Sequence, residues 1–113
     1  NLAANPLVVE FIRRHDAAGK WICPICSAAA RVLGGNNLLN GRRYTCSGDL
    51  HQDVKDGIYV DEKIVEDGNL LSGKGLGVAF DFAFHLGWKL TGDASNIDFQ
   101  VDHIYYDYWR TQA

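Results

Sequence analysis

The chain has 113 residues, enough for one domain and no more. Its net charge of −3 gives no basic footprint for nucleic acid, and no apolar run is long enough to cross a bilayer. Three cysteines without framework spacing, and no signal-peptide pattern, fit a reducing, cytoplasmic compartment rather than a disulfide-stapled secreted fold.

Taken in order, Asn5-Pro6 opens a helix, with an N-cap candidate followed by proline at the first helical position. Leu7, Val8, Phe11 and Ile12 form its apolar stripe, Glu10, Arg13, Arg14 and Asp16 face outward, and Gly19 closes it. Residues 21–25 are apolar throughout and read as a strand buried on both faces, as in a parallel sheet covered by helices. A helix is predicted from Cys26 to about Leu33, stopping at Gly34-Gly35. Residues 36–41 are turn-rich, 43–46 form a short strand, and 47–57 are polar and irregular. Ile58-Tyr59-Val60 and Ile64-Val65 are β-rich, and Asp67-Gly68 predicts a tight turn joining 64–66 to 69–71.

Glycines at 73, 75 and 77 then break regular structure before a helix over 78–90, with Phe80, Phe84 and Trp88 at four-residue spacing. Gly92 ends that helix, and Ser95 or Asn96 is the expected cap of a last one through Phe99. Tyr105, Tyr106, Tyr108 and Trp109 make an aromatic tail that either covers a sheet face or offers an interaction surface. This order of elements is α/β. Only one strand looks central, so the sheet is either unusually small or completed from elsewhere.

The chemistry centres on Cys26, at the changeover from strand to helix. The positive end of a helix dipole favours thiolate over thiol, and a sharp strand-to-helix turn exposes the side chain as a nucleophile elbow. The alternative is an inert, buried cysteine. Cys23-Pro24-Ile25-Cys26 is also a C-x-x-C motif, but Cys23 lies inside the strand and reads as a small core residue. A zinc site from Cys23, Cys26, Cys46 and His51 has suitable ligand types without the second close-spaced pair, so no metal is expected. Cys46 reads either as a resolving thiol near Cys26 or as a structural cysteine. His15 is expected in solvent, His85 in the core and His103 in the tail, none with a sequence partner that would make it a general base. Asp61-Glu62 reads as a solvated strand end. The 73–77 loop reads as a turn needing open backbone dihedrals near the site.

Several blocks in order resemble the PfpI/ThiJ superfamily, that of the Parkinsonism-associated protein deglycase and its bacterial relatives. They are Ile25-Cys26-Ser27-Ala28, Gly41-Arg42-Arg43-Tyr44-Thr45, Tyr59-Val60-Asp61-Glu62, the run from Asp67 to Gly77, and Ala79-Phe80-Asp81-Phe82-Ala83. The resemblance implies a flavodoxin-like three-layer sandwich with a mainly parallel sheet. Residues 1–113 would be the C-terminal portion of one such domain, of the class I glutamine amidotransferase-like kind. It makes Cys26 the elbow nucleophile and the Ser27 N–H part of an oxyanion site, with Cys46, Ser47, His51 and Gly75 as accessory positions. Ser27 stands where protease-like members have histidine, which points away from peptidase activity. Cys46-Ser47 stands where the deglycase-like branch often has histidine, and His51 falls later.

The resemblance further implies that the missing βα units, with an acidic partner for Cys26, come from an N-terminal fragment present as a separate chain. The composite would form a homodimer. Two functions are compatible with it. One is a cofactor-free enzyme whose Cys26 thiolate attacks a small dicarbonyl or its adduct, as a glyoxalase or deglycase. The other is a non-enzymatic redox sensor or chaperone-like stress protein using the same oxidisable cysteine.

Overall fold

The computed structural model describes residues 1–106; Tyr108 and Trp109 of the expected aromatic tail lie outside the described residues. Helix α1 spans Pro6–Ala17. The Asn5 side chain accepts from the Leu7 N–H at 2.9 Å, and Pro6 occupies the first helical position, where no N–H is needed. At the other end Gly19 takes φ +74°, and the N–H groups of Gly19 and Lys20 donate to Asp16 and His15, satisfying the last carbonyls. The inward stripe is shifted from the expected Leu7, Val8, Phe11 and Ile12, since Val9 takes part in it. Val9 and Ile12 pack on the core, whereas Leu7 and Phe11 are 79% and 62% exposed. His15 is not simply solvated; its ring stacks on Phe11.

Residues 21–25 run extended and parallel to strand β4 (Leu70–Gly73), with Ile22 opposite Leu70 and Ile25 opposite Gly73. The N–H of Ile22 donates to Asn69, the carbonyls of Ile22 and Pro24 accept from Leu71 and Gly73, and the Cys26 N–H donates to Gly73. Proline has no N–H, so the ladder is interrupted and the segment is a pair of bridges rather than a full strand. Period-two alternation is preserved. Ile22 faces Leu33, Tyr44, Val9 and Ile12, while Trp21, Cys23 and Ile25 face Ile64, Leu71, Phe82 and Leu86.

That alternation defines three layers. α1 and the turn after Cys26 cover one side of the extended layer, and α2 (Ala79–Thr91) covers the other. Strand β3 (Ile64–Asp67) pairs antiparallel with β4 through a two-residue loop, Gly68-Asn69, with Gly68 at φ +61°. The expected hairpin forms, but its turn lies one residue later than Asp67-Gly68, because Asp67 still pairs with Leu70 as the last residue of β3. Ile58-Tyr59 does not join it: β2 (Ile58–Tyr59) pairs in parallel with β1 (Arg43–Tyr44).

The helix expected after Cys26 is instead a five-residue π turn, Ala29–Leu33, continued by a 3-10 turn, Gly34–Asn36. Gly34-Gly35 does not stop it; Asn37, at φ +57°, does. Gly34 is small for a packing reason, since a Cβ there would lie 2.9 Å from Val54 Cγ2. A short 3-10 turn, Leu50–Asp53, interrupts the region expected to be irregular. α2 ends at Gly92 (φ +70°) as expected. α3 (Ala94–His103) is capped by Asp93, not by Ser95 or Asn96; the Asp93 carboxylate accepts from both their N–H groups. Phe84, Trp88 and Tyr106 pack on Ile97 and Val101, joining α2 to α3. No helix among the described residues is long and apolar enough to cross a membrane.

Candidate active site

Cys26 sits at φ +63°, one of four non-glycine residues in the left-handed region among those described. Such a conformation costs on the order of 1–3 kcal/mol and persists only where the surroundings impose it. Here they do. The Cys26 N–H donates to the Gly73 carbonyl at 2.9 Å, and its own carbonyl accepts the Ser47 N–H at 3.1 Å. The elbow is thus clamped between the end of β4 and the segment after β1. Cys26 is half-buried. The next N–H, that of Ser27, donates to no acceptor among the described residues, while the Ser27 carbonyl accepts from Arg31. A free N–H thus follows the thiol-bearing residue directly in a strained turn. The π turn that follows is too short to give the elbow the dipole of a full helix.

The other cysteines differ from Cys26 in setting, and all three are free thiols. Cys23 faces the α2 side of the sheet, and burial pushes its thiol up to about 11. Cys46 is fully buried on the opposite side. Burial raises its pKa, against the His51 backbone N–H on its sulfur and the nearby charge of Lys74. The negative charge of a Cys26 thiolate also acts to raise it, which places the two sulfurs in one electrostatic environment.

Around this pair lies a polar cluster that sequence patterning did not identify. The Lys74 ammonium pairs with the Asp61 carboxylate and lies 5.9 Å from the Tyr59 ring centroid. The Tyr59 hydroxyl donates to Asp61 at 3.4 Å, and the His51 ring stacks on Tyr59 with centroids 3.8 Å apart. Asp61 is solvent-exposed, as expected, and is also ion-paired. The hydrogen bond from Lys74 holds its carboxyl below the usual range, and the same bond raises the pKa of Lys74. Lys74 stood out in the sequence only as the interior of a glycine run; its partners come from segments 13 and more residues away.

Gly75 is extended (φ −177°) with open space around its Cα, and none of Gly73, Gly75 and Gly77 has positive φ. The expected need for open dihedrals in this loop is thus corrected. What the loop requires is a small residue at 73, where a Cβ would lie 2.7 Å from Phe82 Cδ1. His85 is buried as expected, its Nε2 3.3 Å from Glu66 Oε1. Among the described residues no group of three His, Cys, Asp or Glu is placed to hold a metal ion. An open hollow of about 260 Å³ lies between α1 and the 21–25 segment, lined by Phe11, Ile12, Trp21, Cys23, Ala28 and Val32.

Residues 1–87, which include Cys26 and the strands around it, match the model of the DJ-1/PfpI family. The chain belongs to the DJ-1/PfpI family. It is 34% identical over 93 residues to an isonitrile hydratase from Pseudomonas putida, covering 80% of this chain and 40% of that protein. It is 33% identical over 93 residues to the dj-1beta protein of Drosophila melanogaster, covering 80% of this chain and 49% of that protein. Among solved structures it is similar to a DJ-1 superfamily protein from Salmonella typhimurium, at 63% identity and a TM-score of 0.94, over 96% of this chain and 58% of that one. The chain spans about half the length of these DJ-1/PfpI relatives. The fold shared with them is the flavodoxin-like α/β fold, of which this chain holds a part.

Proposed function

We propose that Cys26 is the nucleophile of a DJ-1/PfpI-type enzyme acting on a small electrophilic carbonyl compound. The observation that carries this reading is the clamped φ of +63° at Cys26 beside the unclaimed Ser27 N–H. The Cys26 thiolate adds to the aldehyde of a 2-oxoaldehyde, and the Ser27 N–H stabilises the oxyanion of the resulting hemithioacetal. A proton then moves from the former aldehyde carbon to the neighbouring carbon, leaving a thioester. Water hydrolyses it to a 2-hydroxy acid and frees the thiol. No oxidant or reductant is consumed, since one carbon is oxidised as its neighbour is reduced.

In this reading the proton carrier is an acidic residue of the N-terminal units, outside residues 1–113. Three features support a domain completed by N-terminal βα units. The Cys23 and Ile25 N–H groups point away from β4 and meet no backbone acceptor among the described residues. The hollow beside them is open, and Leu7 and Phe11 of α1 are exposed. Residues 1–113 then form the C-terminal portion of a single domain, the N-terminal fragment pairs as a separate chain, and the composite is a cytoplasmic homodimer.

The test is turnover of methylglyoxal by the purified protein, with a native mass spectrum of the same sample to establish its composition. Lactate formation that falls to background in Cys26→Ala is the expected result. An isonitrile run in parallel checks the chemistry that the Pseudomonas relative's name describes. Turnover unchanged in Cys26→Ala would sink the assignment.

A further inference from the structure

Carbonyl chemistry at Cys26 makes no use of the thiol beside it. The 3.1 Å bond from the Ser47 N–H to the Cys26 carbonyl ties the residue after Cys46 directly to Cys26, so the two cysteines lie on adjacent backbone segments. Cys46 is fully buried and its pKa is raised, first by that burial, so it stays protonated at neutral pH and does not compete for an oxidant. Cys26 is half-buried at a turn and can meet one. Cys23 cannot substitute for Cys46, because it packs on the α2 side of the sheet while Cys46 packs on the side of Ile22.

We propose that Cys46 is the resolving thiol of Cys26, closing an internal Cys26–Cys46 disulfide after oxidation by a hydroperoxide. In the first step the Cys26 thiolate attacks the hydroperoxide and breaks its O–O bond; the sulfur becomes a sulfenic acid and the peroxide is reduced to an alcohol or water. In the second, the Cys46 sulfur attacks the Cys26 sulfur. The S–S bond forms as the S–OH bond breaks, and the Cys46 proton leaves with the hydroxide as water. The His51 backbone N–H on the Cys46 sulfur and the Lys74 charge nearby favour the charge that develops there as the proton departs. The bridge protects the elbow from irreversible overoxidation, and a cellular thiol reduces it back. This inference rests on the reading of Cys26 as the accessible nucleophile.

The experiment is stepwise addition of hydrogen peroxide to the purified protein, alkylation of remaining thiols, and non-reducing peptide mapping. Trypsin leaves Cys23 and Cys26 together on peptide 21–31 and Cys46 on peptide 44–55, so fragmentation or a Cys23→Ser variant assigns the link. Wild type is expected to lose two hydrogens and yield a 21–31/44–55 cross-linked peptide through Cys26. Cys46→Ser is expected to lose that peptide, trap dimedone at Cys26 and pass to the sulfinate. If Cys46→Ser does not fold, the wild-type and Cys23→Ser maps decide alone. Sulfinate at Cys26 with Cys46 still alkylatable in wild type, or a bridge through Cys23, overturns the proposal. A Cys26 that alkylates readily but forms no bridge defeats only the resolving role; a Cys26 inert to both reagents defeats the nucleophile assignment as well.

Discussion

The two ends of the 21–25 segment solve opposite problems with polar groups. At its start, Arg42 closes a network with no spare donor nitrogen. Its Nη1 and Nη2 donate to the Asp16 carboxylate at 3.1 and 2.9 Å, to Asn69 Oδ1 at 2.7 Å and to Leu38 O at 2.8 Å, and its Nε donates to Leu39 O at 2.9 Å. Asn69 returns its amide to Asp16 and Lys20. At the segment's end, Cys26 holds a left-handed backbone, the Ser27 N–H is unclaimed, and Thr45 Oγ1 and His51 Nδ1 are buried without partners among the described residues. A saturated network fixes the sheet against α1 and the hairpin. An unsaturated one leaves polar groups without partners among the described residues, beside a strained backbone.

Separating the two ends by mutation sharpens the contrast. The largest stability effect is expected from Arg42→Ala, which strands a carboxylate only 16% exposed and costs about 3 kcal/mol in denaturant unfolding. Relative alkylation rates of the three cysteines should persist in whatever fraction remains folded. This loss depends on pH. Burial acts to raise the pKa of Asp16, but the hydrogen bonds from Arg42, Asn69 and Asn40 and the Arg42 charge outweigh it and hold the carboxyl below its usual range. A folded pKa below the unfolded one stabilises above the unfolded value. That stability is lost as pH falls through the folded value, so the gap between wild type and Arg42→Ala should close in strong acid.

Ser72→Ala comes next. The Ser72 hydroxyl accepts from the Thr45 N–H at 2.9 Å and donates to Val65 O at 3.3 Å, all three residues being buried. Removing it leaves a buried N–H and costs about 1–3 kcal/mol. Equal stability of the two proteins by urea unfolding would show that β1 and β4 do not depend on this bond. The smallest effect has the opposite sign. Cys26→Gly relieves the positive φ and should raise stability by about 1 kcal/mol while abolishing thiol chemistry. A destabilised glycine variant would mean that the elbow is not strained.

Some local signals in the sequence survived folding, while other local ones and those that depended on distant partners did not. Asn5-Pro6, Gly19 and Gly92 act through their own backbone neighbours and lie where the pattern placed them, and the hairpin forms with its turn one residue late, at Gly68-Asn69. Asp93 displaced Ser95 and Asn96 as cap because one carboxylate reaches both of their N–H groups. The strand around Cys23 is interrupted by Pro24, and the segment after Cys26 is a π turn continued by a 3-10 turn whose Gly34 lies against Val54. At the site, the elbow at Cys26 was legible from the strand-to-helix changeover. Lys74 and its bonds to Asp61 and Tyr59 were not, because only tertiary structure brings the 58–61 segment to the end of β4.

The central claim is that the elbow gives Cys26 a reactivity its neighbours lack. Brief iodoacetamide labelling at neutral pH, mapped by mass spectrometry, measures it most directly. The account predicts Cys26 modified first, with Cys23, whose thiol burial pushes up to about 11, and the buried Cys46 largely unmodified in the same digest. Labelling of Cys23 or Cys46 ahead of Cys26 would contradict it.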